Sequence, residues 1–215
     1  TRHPEAPTIV TCIDGSEPGY IERATDGGVA PTFARFMKTG ANLIAECVIP
    51  SFTNPNNISI ITGRPPVVHG IAGNFFYDPA TGTEVMMDDP KFMRAPTILA
   101  GFHDAGCKVA MVTAKDKLRL LLSNGLDYAS GRAIAFSSER ADKATKAENG
   151  IDNVTRFVGM DVPDVYSAAL SEFVFAAGVK LAETFRPDLM YLSTTHYIQH
   201  KCAPGSPLAT EFYAM

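Results

Sequence analysis

A chain of 215 residues, 46% hydrophobic and 20% charged, is long enough to bury one sizeable core and lacks the bias of a disordered sequence. Its formal net charge of −4 excludes a broad basic face for nucleic acid, while leaving room for a local basic pocket. No apolar run reaches the roughly 20 residues that a membrane span needs, so the expectation is a soluble chain with no membrane partner.

The predicted elements alternate between strands and helices. Residues 8–13 read as a strand that ends in Asp14-Gly15. A short helix is expected over 31–38, with Pro31 in its first turn and Gly40 beyond its end. Residues 41–48 read as a second strand, and 55–62 as a helix closed by Gly63. The stretch 63–96 is rich in glycine and proline and reads as loops with short strands. Helix 97–104, strand 108–113, helix 116–122 and a short strand over 133–136 follow. Residues 138–153 are polar and read as an exposed connection. A long amphipathic helix over 162–185, with Pro163 in its first turn, leads to a last strand at 188–193. Ser206-Pro207 then opens a helix in which Leu208, Phe212 and Met215 recur at helical spacing. The sequence stops there without a glycine cap, and reads as a fragment ending inside a helix. Apolar strands separated by helices imply a mostly parallel sheet covered on both faces, in one α/β domain.

Ligands of such sheets sit beyond the carboxyl ends of the strands. Asp14, Lys115, Lys117 and His196 all follow strand-like runs closely. Asp14 is either a metal-binding carboxylate or half of an Asp-Gly turn. Thr53 stands where a helix begins; it is either a helix cap or a nucleophile sharpened by a metal and by the helix terminus. His196 and His200 are four apart and, on a helix, would share one face and could bind zinc. No Glu follows His196, so the zincin pattern is absent. Lys115-Asp116-Lys117 is either a solvated helix start or a pair of cations for an anionic substrate. Asn74 is either a turn residue or an amide donor to a phosphoryl oxygen. His3 and His103 read as ordinary surface or core histidines, and His69 carries no assignment. Of Cys12, Cys47, Cys107 and Cys202, none forms a Cys-x-x-Cys pair and three lie in or beside apolar runs. That usage points to a reducing, cytoplasmic setting.

Five runs carry a family resemblance: Ile13-Asp14-Gly15-Ser16-Glu17-Pro18, Pro50-Ser51-Phe52-Thr53-Asn54-Pro55-Asn56-Asn57, His69-Gly70-Ile71-Ala72-Gly73-Asn74-Phe75-Phe76-Tyr77-Asp78, Ala114-Lys115-Asp116-Lys117-Leu118-Arg119 and residues 191–204. Together they resemble the phosphonoacetate hydrolases of the alkaline phosphatase superfamily along nearly the whole chain. The resemblance implies a three-layer α/β/α sandwich with a mostly parallel sheet, and two Zn2+ ions in the complete protein. It implies that Asp14 and Thr53 belong to one metal and His200 to the other. His196 stands where the family pattern has an aspartate; an imidazole can also bind zinc, but it is longer and carries no negative charge. Asn74, Lys115 and Lys117 would hold the phosphonate and carboxylate ends of the substrate. The implied reaction is hydrolysis of phosphonoacetate to acetate and phosphate through Thr53.

The family's remaining ligands, an Asp-His pair and a distant histidine, would follow Met215. Residues 1–215 are therefore expected to be an incomplete alkaline phosphatase-like catalytic domain. The partner implied is a small phosphonate, with no nucleic acid, and a homodimer is compatible with the pattern. Two other readings stay open: a phosphodiesterase or nucleotide pyrophosphatase of the same superfamily, and a catalytically inactive, partner-binding remnant.

Overall fold

The computed structural model describes residues 3–215. In chain order the elements are β1 (Thr8–Cys12), α1 (Pro18–Asp26), α2 (Pro31–Thr39), α3 (Thr53–Thr62) and α4 (Pro66–His69). A hairpin of β2 (Phe75–Asp78) and β3 (Thr83–Met86) follows, then α5 (Ile98–Asp104), β4 (Val109–Thr113) and α6 (Asp116–Leu122). The rest comprises β5 (Ala133–Ser137), α7 (Lys146–Asn149), α8 (Val154–Val158), α9 (Ala169–Thr184), β6 (Leu189–Ser193) and α10 (Pro207–Ala214). The main sheet is parallel, in the order β1-β6-β4-β5.

Every residue of β4, β5 and β6 is buried, which only a sheet covered on both faces permits. Alternation along the strands divides the core in two. Ala110, Val112, Phe136 and Leu192 face α8 and α9, meeting Val154, Phe173, Val174 and Leu181. Val109, Met111, Ala135 and Tyr191 face α3, α5 and α6, meeting Ile58, Leu99, Leu121 and Leu122. The result is the three-layer α/β/α arrangement. A third cluster fastens α10 to α1, with the Tyr20 and Tyr213 rings stacked at 5.4 Å. Among the described residues no helix is long and apolar enough to cross a membrane.

Capping chemistry sets several boundaries where the sequence places them. Thr97 accepts the Ala100 N–H and starts α5, and Ser206 accepts the Ala209 N–H and starts α10. Gly63, left-handed at φ 62°, stops α3.

Three expectations fail. Residues 41–48 form no strand: Leu43 and Ile44 are 85% and 75% exposed, and no neighbouring strand takes up their backbone groups. An apolar run is a strand only when a neighbour takes up its backbone groups, and among the described residues none does so here. The helix expected from residue 162 begins at Ala169 instead. Asp164 accepts the Tyr166 N–H on its side chain, and its carbonyl takes both the N–H and the hydroxyl of Ser167. That local turn outcompetes a helix and leaves Pro163 outside it. Finally, residues 138–153 are more than an exposed connection. Asn149 is buried and donates to the Ala135 carbonyl at 2.7 Å, tying α7 to β5.

Gly150 closes α7 at φ 73°, and a Cβ there would collide with the Ala133 carbonyl oxygen. Gly150→Ala is expected to lower stability by about 3 kcal/mol, read as a shifted denaturant midpoint with unchanged slope.

Candidate active site

In a parallel sheet the carboxyl ends of the strands open on one side, and register decides which residues meet there. Cys12, Thr113 and Ser193 close β1, β4 and β6 at one level. The loops beyond them surround a cavity of about 200 Å³ whose lining includes Asp14, Thr53, Lys115, Lys117, Thr194 and His196.

Thr53 is the first residue of α3 and does not cap it; the cap position is Phe52, which makes no side-chain cap bond. The Thr53 hydroxyl instead donates to Asp14 Oδ2 at 3.0 Å. The unpaired N–H groups of a helix start favour negative charge on or near that oxygen. Asp14 Oδ2 also accepts from His196, whose Nδ1 lies 2.8 Å away. Since an ionised carboxylate only accepts, the His196 proton sits on Nδ1. Gly15 makes this approach possible. It is left-handed at φ 71°, and a Cβ on it would stand 2.9 Å from His196 Cβ. The Asp-Gly pair is thus a turn that also carries the carboxylate on which Thr53 and His196 converge.

His196 and His200 lie on a turn rather than a helix, which corrects the helical-face reading. Their rings still meet edge to face, with centroids 4.5 Å apart. His200 is not among the residues that line the cavity and reaches it only through this contact with His196.

The two lysines come from the start of α6. Asp116, between them, is taken up by Arg119 Nε and Ser137 Oγ, each at 2.8 Å. Burial opposes its charge, but Arg119, Ser137 and Arg140 outweigh that and hold its carboxyl below the usual range. With the carboxylate spent there, Lys115 and Lys117 face the cavity. Burial pushes the Lys115 ammonium below the usual lysine range; Glu139 opposes the shift, Lys117 adds to it and Asp164 opposes it. Asn74 accepts the Asn54 N–H on Oδ1 at 3.2 Å, beside the α3 start. Its amide nitrogen is then the end that can donate to an anion.

Asn57 matters as much, although as a mid-helix amide it carries no sequence signal of a role. It is buried, and its Oδ1 accepts from Tyr191 at 2.8 Å and Ser193 at 3.1 Å. Its Nδ2 donates to the Thr53 carbonyl at 3.0 Å. His69 is also accounted for: it is buried, its Nδ1 accepts the Ile71 N–H, and its Nε2 meets Ser59 Oγ at 2.9 Å.

A carboxylate, a hydroxyl and two imidazoles are the oxygen and nitrogen donors that zinc accepts, and the hydroxyl and one imidazole already converge on Asp14 Oδ2. Among the described residues, no three His, Cys, Asp or Glu side chains form a metal cage by themselves.

Residues 8–215 match the family described as type I phosphodiesterase / nucleotide pyrophosphatase. The chain belongs to this family. Within it, the chain is similar to phosphonoacetate hydrolase from Sinorhizobium meliloti 1021. The crystal structure of that protein with phosphonoformate matches at 62% identity and a TM-score of 0.96, covering 99% of this chain and 51% of that one. The same hydrolase with phosphonoacetate matches at 61% identity and 0.96. Human ectonucleotide pyrophosphatase/phosphodiesterase family member 1 is 38% identical over 74 residues, covering 34% of this chain and 8% of the relative. Murine ectonucleotide pyrophosphatase/phosphodiesterase 5, at 19% identity and a TM-score of 0.59, shares the fold. The chain spans about half the length of these solved structures, 51% and 48%.

Two tests bear on this phosphodiesterase-family site. Asn57→Ala strands two buried hydroxyls and is expected to cost about 3 kcal/mol, measured by urea unfolding. For His69, burial first and Arg94 second hold the imidazole below its ordinary value. The unfolded chain therefore takes up the proton first as pH drops below about 6.5. The stability contributed by neutral His69 is complete above that value and is lost as pH falls toward the folded pKa. His69→Gln should flatten this dependence, seen by comparing denaturant midpoints at about pH 7.5 and about pH 5.5.

Proposed function

We propose that the protein carrying this chain hydrolyses the carbon–phosphorus bond of phosphonoacetate, giving acetate and phosphate, with Thr53 as the nucleophile. The observation that carries this reading is the Thr53 hydroxyl on Asp14 Oδ2, at a helix start, in a cavity it shares with two lysines. The similarity to a hydrolase crystallised with phosphonoacetate supports the choice of substrate.

The Thr53 hydroxyl passes its proton to water as Oγ1 attacks phosphorus, forming an O–P bond as the P–C bond breaks. The electron pair passes to the methylene carbon and spreads into the neighbouring carboxylate as an enediolate. Lys115 and Lys117 stabilise that charge most as it develops, which lowers the barrier instead of merely tightening binding. Asn74 donates to a phosphoryl oxygen, while Asp14 and the α3 start orient Oγ1. The carbon takes a proton from water and leaves as acetate. A second water then cleaves the phosphothreonine and releases phosphate.

Asp14, Thr53, His196 and His200 would hold zinc, two ions in the complete protein, which when bound polarises phosphoryl oxygens and lowers the threonine hydroxyl pKa. The described cysteines are free thiols, which supports a reducing, cytoplasmic place of action.

Family membership keeps a phosphodiester or nucleotide substrate as the second reading. The lysine pair on the cavity favours a compact dianion over a nucleotide. With the complete protein and zinc, phosphate release from phosphonoacetate is expected to exceed turnover of an aryl phosphodiester; the reverse order would select the second reading. Thr53→Ala should cut phosphate release at least ~10³-fold with the fold retained, read by circular dichroism. A folded, zinc-loaded wild type that releases no phosphate would instead favour an inactive remnant. In that case, recovery in His196→Asp would trace the loss to that one side chain.

A further inference from the structure

Lysine carries a point charge on a four-carbon stem, so a lysine that must meet a carboxylate needs something to fix its head. In Lys115 that fixing comes from outside α6. Its Nζ donates to the Val165 carbonyl at 3.4 Å and lies 5.3 Å from the centre of the Tyr166 ring. An ammonium has three donors and accepts nothing. A carbonyl and a ring face occupy part of its surroundings and leave the remainder for an anion in the cavity. Tyr166 is 81% exposed, so its ring contributes little to the core. Its backbone is nevertheless held: Asp164 Oδ1 accepts the Tyr166 N–H at 2.8 Å, and the Asp164 carbonyl accepts the Ser167 hydroxyl at 2.7 Å. That turn leads straight into α9, whose Phe173 and Val174 are fully buried against the sheet. The ring is thus a surface feature mounted on a rigid base.

We propose that Tyr166 is a positioning residue that, with the Val165 carbonyl, holds the Lys115 ammonium where it receives the substrate carboxylate, an inference that rests on the hydrolase reading above. A desolvated ammonium gains more from a ring face than a solvated one. The downward push of burial on Lys115 agrees with such an environment.

The test uses the complete, zinc-loaded protein with Tyr166→Ala, Tyr166→Phe and Lys115→Ala, alone and combined. Tyr166→Ala should lower kcat for phosphonoacetate about fivefold with KM within about twofold, because a loosened cation stabilises less of the charge that develops on the leaving carboxylate. Tyr166→Phe keeps the ring face and should stay within about twofold of wild type. In the Lys115→Ala background, Tyr166→Ala should add nothing. A second readout needs no turnover: labelling of Lys115 by trinitrobenzenesulfonate, followed by peptide mass spectrometry, should quicken in Tyr166→Ala and not in Tyr166→Phe. Unchanged kcat and labelling in Tyr166→Ala would overturn the proposal while leaving the hydrolase reading intact. Equal losses in the Phe and Ala variants would overturn the ring contact. A wild type inert toward phosphonoacetate overturns the substrate role, and unchanged labelling would then overturn the positioning as well.

Discussion

The Asn57 amide joins α3 to the centre of the sheet. Its oxygen takes two hydroxyls from β6, and its nitrogen holds the carbonyl of Thr53 itself. A buried amide with both ends engaged is specific, because any slip of α3 along β6 would strand polar groups away from water. The same strand runs on to His196, which meets Asp14. Thr53 and Asp14 are 39 positions apart and His196 lies 182 beyond Asp14, yet they share one reference frame.

Parallel register does the rest. With Cys12, Thr113 and Ser193 level, residues two to four steps past each strand come to line one cavity. The chemistry then follows from what each short loop carries: a carboxylate after β1, cations after β4, an imidazole after β6. The helix start of α3 brings an alcohol and a partial positive charge to the same place. Asp116 shows how electrostatics are kept simple there. Its charge is spent on Arg119 and Ser137 at the rim, so the cations flanking it need not be shared.

Much of this was legible in the sequence because local chemistry and global fold agree. Continuous apolar runs give β4, β5 and β6; Thr97, Gly63 and Ser206 mark helix ends; Asp14, Thr53, Lys115, Lys117 and His196 gather because strand ends gather. Three kinds of information were not there. Whether residues 41–48 pair depends on an edge elsewhere, which no local pattern encodes. At 162–168 a helical pattern competes with an Asp164 turn, and the turn prevails by hydrogen bonds that propensity does not weigh. The roles of Asn57 and Tyr166 exist only in three dimensions, since an amide on a helix and a tyrosine in a loop carry no distinguishing neighbours.

The β1 strand pairs with β6 along one edge and, among the described residues, with nothing along the other. Ile9 on it is 54% exposed, and the uncommitted stretch 41–48 lies nearby with Leu43 and Ile44 in water. Such a border is a template on which any extended peptide can crystallise, strand upon strand. Among the described residues β1 thus presents a row of unpaired amides, and a charge placed at Ile9 would discourage a further strand from adding there.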